Sequence, residues 1–330
     1  MTAPAAEVAW VETPDHAWIA LHHRANPGGT PVILCHGISS NHHFWDLTPE
    51  TSLSVALWEA GFDVWNLDLR GHGEAERDPG GNRQKPGWRL DDYGVSDLPS
   101  AIRFVQQQTG AAEVEFVGHS LGGMVLAITL ATWPDAPIAA AAVVGSPLDF
   151  HDPDRLMALL FAVGQRVGLR SVPTPAAAQV LGGPFGRMLP LQSEAVLYNP
   201  DNFDRAGERA MLAAVVSPLT SGEIRQFSTF GADGEFRSAD GAIRYRDRLA
   251  EHRLPMLFVA GRADHVVTPD RVAAYADAVG SPDETFWVLS EENGYSGDYG
   301  HLDFGCAPAA SREFFPPLIA WLAARAPAKP

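Results

Sequence analysis

The chain has 330 residues, of which 46% are hydrophobic, so it can bury a large core and a disordered protein is excluded. Its 24 basic and 40 acidic side chains give a formal net charge of −16, which argues against nucleic acid or an anionic membrane as the main partner. The two cysteines suggest no disulfide framework, the first residues resemble no secretory signal and no apolar run reaches about 18 residues, so we expect a cytoplasmic protein without membrane insertion.

Short apolar runs alternate with longer amphipathic segments along the first half of the chain. This pattern predicts a mostly parallel sheet flanked by helices. The first two strands show partial alternation and are expected to pair antiparallel at an edge of the sheet. The strands are predicted at Glu7–Glu12, Ala17–His23, Val32–His36, Asp63–Leu69, Val114–Val117 and Ile138–Val144, and the helices at Pro49–Ala60, Asp92–Gln108 and Leu121–Thr132.

The pattern changes after Pro147. From there to about Leu254 the chain is rich in Pro and Gly and shows no evident strand, while apolar residues between Leu156 and Val167 fall at helical spacing. The stretch is too long for a plain loop, so we predict a helical cap over 147–253, inserted into an α/β core formed by 1–146 and 254–330. The core resumes with strands at Met256–Ala260 and Thr285–Leu289, a helix from about Pro269 to Val279 and a closing helix near Pro316.

The strongest chemical signal is the pentapeptide Gly118-His119-Ser120-Leu121-Gly122, between a predicted strand and a predicted helix. A serine hydroxyl is a poor nucleophile unless a sharp turn holds it clear of its neighbours and a base is paired with it. Flanking glycines permit such a turn. A helix-capping serine in a Gly-rich turn is the structural alternative, but the strand before it and the apolar helix after it favour Ser120 as a catalytic nucleophile.

Two loops later in the chain offer a base and an acid. His301 lies in the segment GHLDF after one predicted strand, and Asp264 lies in the segment GRAD directly after another. Because the carboxyl ends of parallel strands meet at one edge of a sheet, we expect both side chains to lie near Ser120. The chain order Ser, acid, His predicts His301 as the base and Asp264 as the residue that fixes its tautomer, with Asp149 as the rival acid.

The loop after the strand Val32–His36 is the expected site of an oxyanion hole. A small residue at Gly37 permits a close approach of the backbone to the neighbouring strand that leads to the nucleophile. The backbone N–H groups of Ile38 and Leu121 are therefore predicted to stabilise negative charge that develops on a substrate oxygen. The side chain of His36 is expected to be structural.

Several other histidines are candidate ligands of a substrate or a metal ion. His42 and His43 follow the predicted oxyanion loop and, with His119, are predicted to contact substrate. Adjacent histidines do not easily share an ion, and His22 and His23 point to opposite faces of a strand, so no metal site is predicted. The sequence contains no metal-binding, phosphate-binding or dinucleotide-binding motif, so no cofactor is expected.

Nearly the whole chain resembles the α/β-hydrolase superfamily. Within it, the stretches Asp91–Pro99, Phe258–Asp264 and His301–Phe304, together with Gly118-His119-Ser120, are similar to the acid-lipase and esterase-like branch. The resemblance implies the α/β-hydrolase fold, a triad of Ser120, Asp264 and His301, and the Ile38 and Leu121 amides as oxyanion hole. It also implies cleavage of a small-molecule or lipid-like carboxylic ester through an acyl-enzyme. Two features depart from the pattern of the secreted acid lipases: first residues that resemble no signal peptide, and Leu121 where many of them have Gln.

Other functions are compatible with the same residues. An acyltransferase would use the same triad and differ in the access of water to the acyl-enzyme. A polyester depolymerase is a narrower form of hydrolase, and a non-catalytic binding module would keep the fold without an activated serine. The apolar residues of the cap suggest a hydrophobic acyl or alcohol pocket.

Overall fold

The computed structural model describes residues 3–151, 171–172 and 194–327 of the chain. Within this part, strands and helices alternate largely as the sequence predicts. The strands are β1 (Glu7–Glu12), β2 (Trp18–Arg24), β3 (Pro31–Cys35), β4 (Asp46–Thr48), β5 (Thr51–Ser52), β6 (Asp63–Asp68), β7 (Val114–His119), β8 (Ile138–Val144), β9 (Ser171–Val172), β10 (Leu219–Thr220), β11 (Met256–Gly261) and β12 (Glu284–Leu289).

The longer helices of the described residues flank the sheet or lie in the later half of the predicted cap. They are α1 (Leu53–Glu59), α2 (Leu98–Thr109), α3 (Leu121–Thr132), α4 (Arg205–Ala214), α5 (Ser221–Asp233), α6 (Pro269–Ala276) and α7 (Phe315–Ala323). Shorter helical segments are His42–Phe44, Gly73–Glu76, Leu90–Asp92, Tyr93–Asp97, Glu194–Leu197, Pro200–Asn202, Arg246–Glu251, Glu291–Asn293, Asp303–Cys306 and Ala310–Glu313. None of the helices in the described ranges combines the length and the apolarity that crossing a bilayer requires.

Eight strands form the central sheet, in the order β1-β2-β6-β3-β7-β8-β11-β12. From β6 to β12 in that order, neighbouring strands are parallel. Strand β2 pairs antiparallel with both β1 and β6, so the predicted antiparallel edge is confirmed. The loops that follow β3, β7, β8, β11 and β12 therefore emerge at the same edge of the sheet, where open α/β folds build their sites.

Both faces of the sheet are buried. Along β7, Phe116 packs in the apolar layer that contains α2 and α3, and the next residue, Val117, packs in the opposite layer with α1 and α7. Helix α3 is buried at every residue from Leu121 to Ala131, and full burial of one large apolar side chain contributes about 1.5–3 kcal/mol. The nucleophile candidate therefore lies at the start of the most completely buried helix on this face.

Two predicted helices differ from the observed ones for local reasons. Helix α1 begins at Leu53 rather than Pro49, because the Ser52 side chain caps it by accepting a hydrogen bond from the Val55 N–H. The helical stretch before α2 contains a π-helical section, Tyr93–Asp97. There the Thr129 hydroxyl donates a 2.7 Å hydrogen bond to the Gly94 carbonyl, which gives that carbonyl a partner outside its own helix.

The described part of the predicted cap packs on the core through α5. Its residues Phe227 and Phe230 belong to the same apolar layer as Met124 of α3, and a side chain at Gly222 would lie 2.0 Å from the Trp88 carbonyl oxygen. The two-residue strands β9 and β10 pair antiparallel. They are too short to show the alternation of apolar and polar residues by which a strand is predicted from sequence. The helix predicted between Leu156 and Val167 lies outside the described residues, and the domain boundaries stay a prediction.

A buried carboxyl group on the central strand gives a testable prediction about stability. Glu115 of β7 is fully buried between Val32 and Ala140, and in the described part of the chain neither of its carboxyl oxygens has a hydrogen-bond partner. Burial raises the pKa of Glu115 to about 8. The folded protein therefore binds the proton of the Glu115 carboxyl group more tightly than the unfolded chain does. As a consequence, the free energy of unfolding falls as the pH rises from about 4.5 to about 8.

We expect Glu115→Gln to leave the free energy of unfolding near the wild-type value at pH 5 and to raise it by on the order of 3 kcal/mol at pH 9, since the amide stays neutral. Urea titration of both proteins at the two pH values measures this. Equal pH dependence of the two proteins would show that Glu115 is ionised or paired in the folded state.

Candidate active site

Ser120 lies on a strained turn between β7 and α3. Its backbone has φ 50° and ψ −112°, a positive φ that non-glycine residues rarely adopt. The flanking glycines make the turn possible, because a side chain at Gly118 would lie 2.7 Å from the Gly122 backbone, and one at Gly122 would lie 2.7 Å from the Cys35 carbonyl oxygen. The turn holds the Ser120 hydroxyl at the carboxyl edge of the sheet.

The structure brings the three predicted triad residues together. The Nε2 atom of His301 lies 3.0 Å from the Ser120 hydroxyl oxygen, and Nδ1 of His301 lies 2.7 Å from a carboxylate oxygen of Asp264. All three side chains are buried, with 5%, 6% and 1% exposure for His301, Ser120 and Asp264. Because Nδ1 donates to the carboxylate, Nε2 is the nitrogen left to accept the serine proton.

Asp264 is held in one orientation by its own loop. Its second oxygen, Oδ1, accepts hydrogen bonds from the N–H groups of Val266 at 2.9 Å and Val267 at 2.7 Å. Only Oδ2 therefore faces His301. The rival acid, Asp149, instead pairs with His151 at 2.6 Å and with Arg246 at 3.6 Å.

The backbone expected to form the oxyanion hole lies directly against the nucleophile. A side chain at Gly37 would lie 2.8 Å from Nδ1 of His119 and 3.2 Å from Cβ of Ser120, so glycine is what permits this close approach of the loop. Leu121 is the first residue of α3, where a backbone N–H has no acceptor within the helix. Ile38 lines the same cavity as Ser120, and the role of the Ile38 and Leu121 amides as oxyanion hole stays a prediction.

His36 fixes this loop through its imidazole ring. Nδ1 lies 2.8 Å from the Gly37 carbonyl oxygen, and Nε2 accepts a hydrogen bond from the Leu69 N–H at 3.2 Å. Burial lowers the pKa of His36 to about 3, so the ring is neutral and its tautomer is set by these two bonds. The structural role expected for His36 follows from this geometry.

A mainly apolar cavity opens beside the Ser120 hydroxyl. It lies between the loops after β3, β8 and β11 and the predicted cap. Among the described residues, its lining consists of Ser120, the charged Arg271 and nine apolar residues. In the described part of the chain these lining residues are Ile38, Ser120, Met124, Pro147, Phe150, Leu219, Ile224, Phe227, Val266, Val267 and Arg271.

His119, predicted to contact substrate, lies under the catalytic loop and does not line this cavity. Its side chain is 1% exposed and stacks on Phe44 with ring centroids 4.0 Å apart. Burial holds the pKa of His119 well below its usual value, and Nε2 lies 2.9 Å from the His301 carbonyl oxygen, to which it donates. The ring therefore supports the backbone that carries the base, a role that sequence reasoning missed.

His42 and His43 also lie outside the lining of this cavity. His42 and His22 both hydrogen bond to one oxygen of Asp68, each at 2.9 Å, and the ring of His43 contacts that of His42 at a centroid distance of 4.1 Å. Burial opposes protonation of His42, but Asp68 outweighs it and raises the pKa of His42 above its usual value. No sequence signal joins these residues, because β2, β6 and the loop after β3 meet only in the folded sheet.

The donor atoms of His22, His42 and Asp68 lie within 4.8 Å of one another, the spacing of a possible metal site. However, the two rings stack with centroids 3.5 Å apart and an interplanar angle of 20°. An ion about 2 Å from both nitrogens has to lie in the plane of each ring, and two nearly parallel planes do not meet there. The geometry is that of two histidines sharing one carboxylate.

A model of the alpha/beta hydrolase fold family matches residues 30–296, most of the chain. The chain belongs to this family. Among curated members similar in sequence, Lipase 3 of Drosophila melanogaster is 28% identical over 46% of this chain and 36% of its own length. Gastric triacylglycerol lipase of Rattus norvegicus is 30% identical over 37% of this chain and 35% of its own length. This α/β hydrolase thus matches little more than a third of the length of either lipase.

Solved structures of other α/β hydrolases match over nearly the whole chain. A thermophilic esterase from Thermogutta terrifontis superposes with a TM-score of 0.67 at 17% identity, covering 97% of this chain and 100% of that one. An esterase from Exiguobacterium antarcticum superposes with a TM-score of 0.65 at 16% identity, covering 96% of this chain and 100% of that one. At these identities the likeness concerns the fold alone.

Proposed function

We propose that this α/β hydrolase cleaves carboxylic esters through a covalent acyl-enzyme on Ser120. The observation that carries the proposal is the continuous hydrogen-bonded series from Ser120 through His301 to Asp264, with contacts of 3.0 and 2.7 Å. Such a series activates a serine hydroxyl at neutral pH. The names of the lipases and esterases that resemble the chain point to the same bond type.

In the first step, Ser120 attacks the ester carbonyl carbon while Nε2 of His301 accepts the hydroxyl proton. The carbonyl oxygen becomes an oxyanion, which the N–H groups of Ile38 and Leu121 stabilise as paired donors. Asp264 stabilises the imidazolium that forms on His301, since its carboxylate is already held on Nδ1. The carbon–oxygen bond to the alcohol then breaks, and the alcohol leaves with the proton from Nε2.

In the second step, a water molecule takes the place of the alcohol. His301 accepts a proton from this water as it attacks the acyl carbon, and the same two amides stabilise the second oxyanion. The bond to Ser120 breaks, and the serine oxygen recovers its proton from His301. The products are a carboxylic acid, an alcohol and the free enzyme, so atoms and protons balance without a cofactor.

The cavity supports an ester with an apolar acyl or alcohol part. Phe150, Phe227 and Met124 lie in its walls with other apolar side chains, and Ser120 lies at its edge. Small-molecule sites in proteins are usually apolar with a few placed polar groups. A lipid-like ester is the partner that this lining favours.

The test is labelling of the purified protein with a fluorophosphonate, followed by peptide mapping and a panel of p-nitrophenyl esters. We expect modification at Ser120, hydrolysis of the esters to free acid by the unmodified protein, and loss of that hydrolysis after modification. Absence of labelling would contradict an activated serine. Labelling with transfer of the acyl group to an added alcohol in place of water would contradict a hydrolase and favour an acyltransferase.

A further inference from the structure

The loop that carries His301 is bound to a segment of the predicted cap. The Leu302 N–H donates to the Leu197 carbonyl at 2.8 Å, and the side-chain amides of Asn199 and Asn202 donate to the Asp298 carbonyl at 2.8 and 2.9 Å. The two backbones approach so closely that a side chain at position 300, now Gly300, would lie 2.5 Å from the Asn199 nitrogen. The catalytic loop and the segment Leu197–Asn202 thus form one hydrogen-bonded unit.

Asp303 is the centre of this unit. It is fully buried, and one of its oxygens accepts hydrogen bonds from the Gly300 N–H at 2.8 Å and from the Asn202 amide at 2.7 Å. Its other oxygen accepts the Asn199 N–H at 3.2 Å. All these partners donate hydrogen bonds, and a carboxylate can accept them at both of its oxygens. An amide in the position of Asp303 would instead direct its NH₂ group at one of these donors.

Asp303 bears on the orientation of His301, because the hydrogen bond between Gly300 and Asp303 spans His301 in the chain. The Gly300 N–H precedes the base and the Asp303 carboxylate follows it, so their bond closes the turn around His301. On the other side, the His301 carbonyl is held by His119. A displacement of about 1 Å at a reacting group can cost on the order of 100-fold in rate, so the turn has to be rigid for Nε2 to stay beside Ser120.

We propose that Asp303 and Asn202 are positioning residues for His301, through which the segment Leu197–Asn202 of the predicted cap holds the catalytic base in place. This proposal rests on the proposed function, since it takes His301 to be the base. Neither residue lines the cavity beside Ser120. Their loss should therefore lower kcat and leave KM nearly unchanged, because they act on the orientation of the base.

The experiment compares Asn202→Ala with wild type, using p-nitrophenyl ester kinetics and the rate of fluorophosphonate labelling of Ser120. We expect kcat and the labelling rate both to fall about 10-fold or more, with KM within about twofold. Asn293→Ala is the matched control, because the Asn293 amide also donates to a backbone carbonyl, that of Val288 at 2.9 Å, in a neighbouring loop. The control should retain wild-type kinetics.

A second variant, Asn202→Asp, places a carboxylate against Asp303. Two carboxylates at this distance share a proton at low pH and repel each other when both are ionised. The ratio of variant to wild-type kcat should therefore rise as the pH falls from 9 to 6, a change that simple loss of packing would not produce. This variant also decides the question if Asn202→Ala does not fold.

Three results would count against the positioning role. If Asn202→Ala keeps kcat and the labelling rate within twofold of wild type, or if the Asn202→Asp ratio is independent of pH, the positioning role is overturned while the ester hydrolase stands. If wild type itself is not labelled at Ser120, the proposed function fails and the positioning role fails with it.

Discussion

Ser120→Ala should lower kcat for ester hydrolysis by at least about 10³-fold, because the acyl-enzyme cannot form without the hydroxyl. The effect on KM should be small, since the cavity walls are untouched. Fold should be retained, because alanine preserves Cβ and, among the described residues, the hydroxyl makes one hydrogen bond, the 3.0 Å contact with His301. Steady-state kinetics with a p-nitrophenyl ester, together with thermal unfolding, measure both parts of this expectation.

A matched control is Ser100→Ala, in the first turn of α2, which continues the helical stretch before it. Ser100 is also buried, with 8% exposure, and alanine is the residue most favourable to a helix. This variant should show wild-type kinetics. Activity of Ser120→Ala near that of the control would exclude Ser120 as the nucleophile.

Asp264→Asn should lower kcat by about 10⁴-fold, through the tautomer of His301. In the variant, the amide oxygen is expected to keep the hydrogen bonds from Val266 and Val267, which Oδ1 now accepts at 2.9 and 2.7 Å. The amide NH₂ then faces Nδ1 of His301 and donates to it. The imidazole proton is forced onto Nε2, which can no longer accept a proton from Ser120.

The pH dependence of kcat in Asp264→Asn distinguishes a wrong tautomer of His301 from misfolding. At high pH, hydroxide can partly substitute for the lost base, so the deficit of Asp264→Asn should shrink as the pH rises. Asp149→Asn is the control, because Asp149 faces His151 and Arg246 instead of His301. Equal losses of kcat in Asp264→Asn and Asp149→Asn would contradict the assignment of Asp264 as the acid that orients His301.

Much of the fold could be predicted because it depends on short-range patterns. Helix α3 and strand β8 have the predicted bounds, since an unbroken apolar run followed by a turn leaves little freedom. The early start predicted for α1 was wrong because a single hydrogen bond at Ser52 decides where that helix begins. The ladder between β9 and β10 has too few residues to leave any pattern.

The candidate site could be predicted less completely. The sequence selected the loops of Ser120, Asp264 and His301, since each follows a strand of a parallel sheet. It did not indicate that His119 supports the His301 carbonyl, or that Asp303 accepts hydrogen bonds from Asn199 and Asn202. These contacts join segments about 100 residues or more apart in the chain, and no local spacing encodes them.

By itself, the sequence determined the strand, turn and helix around Ser120 and the apolar strands beside it, because these depend on residues within a few positions of one another. The tertiary structure decided which of two acids meets His301 and what holds its loop. It also paired the rings of His22 and His42 on Asp68. Those outcomes depend on the order of strands in the sheet, which brings distant side chains within about 3 Å, where hydrogen bonds form.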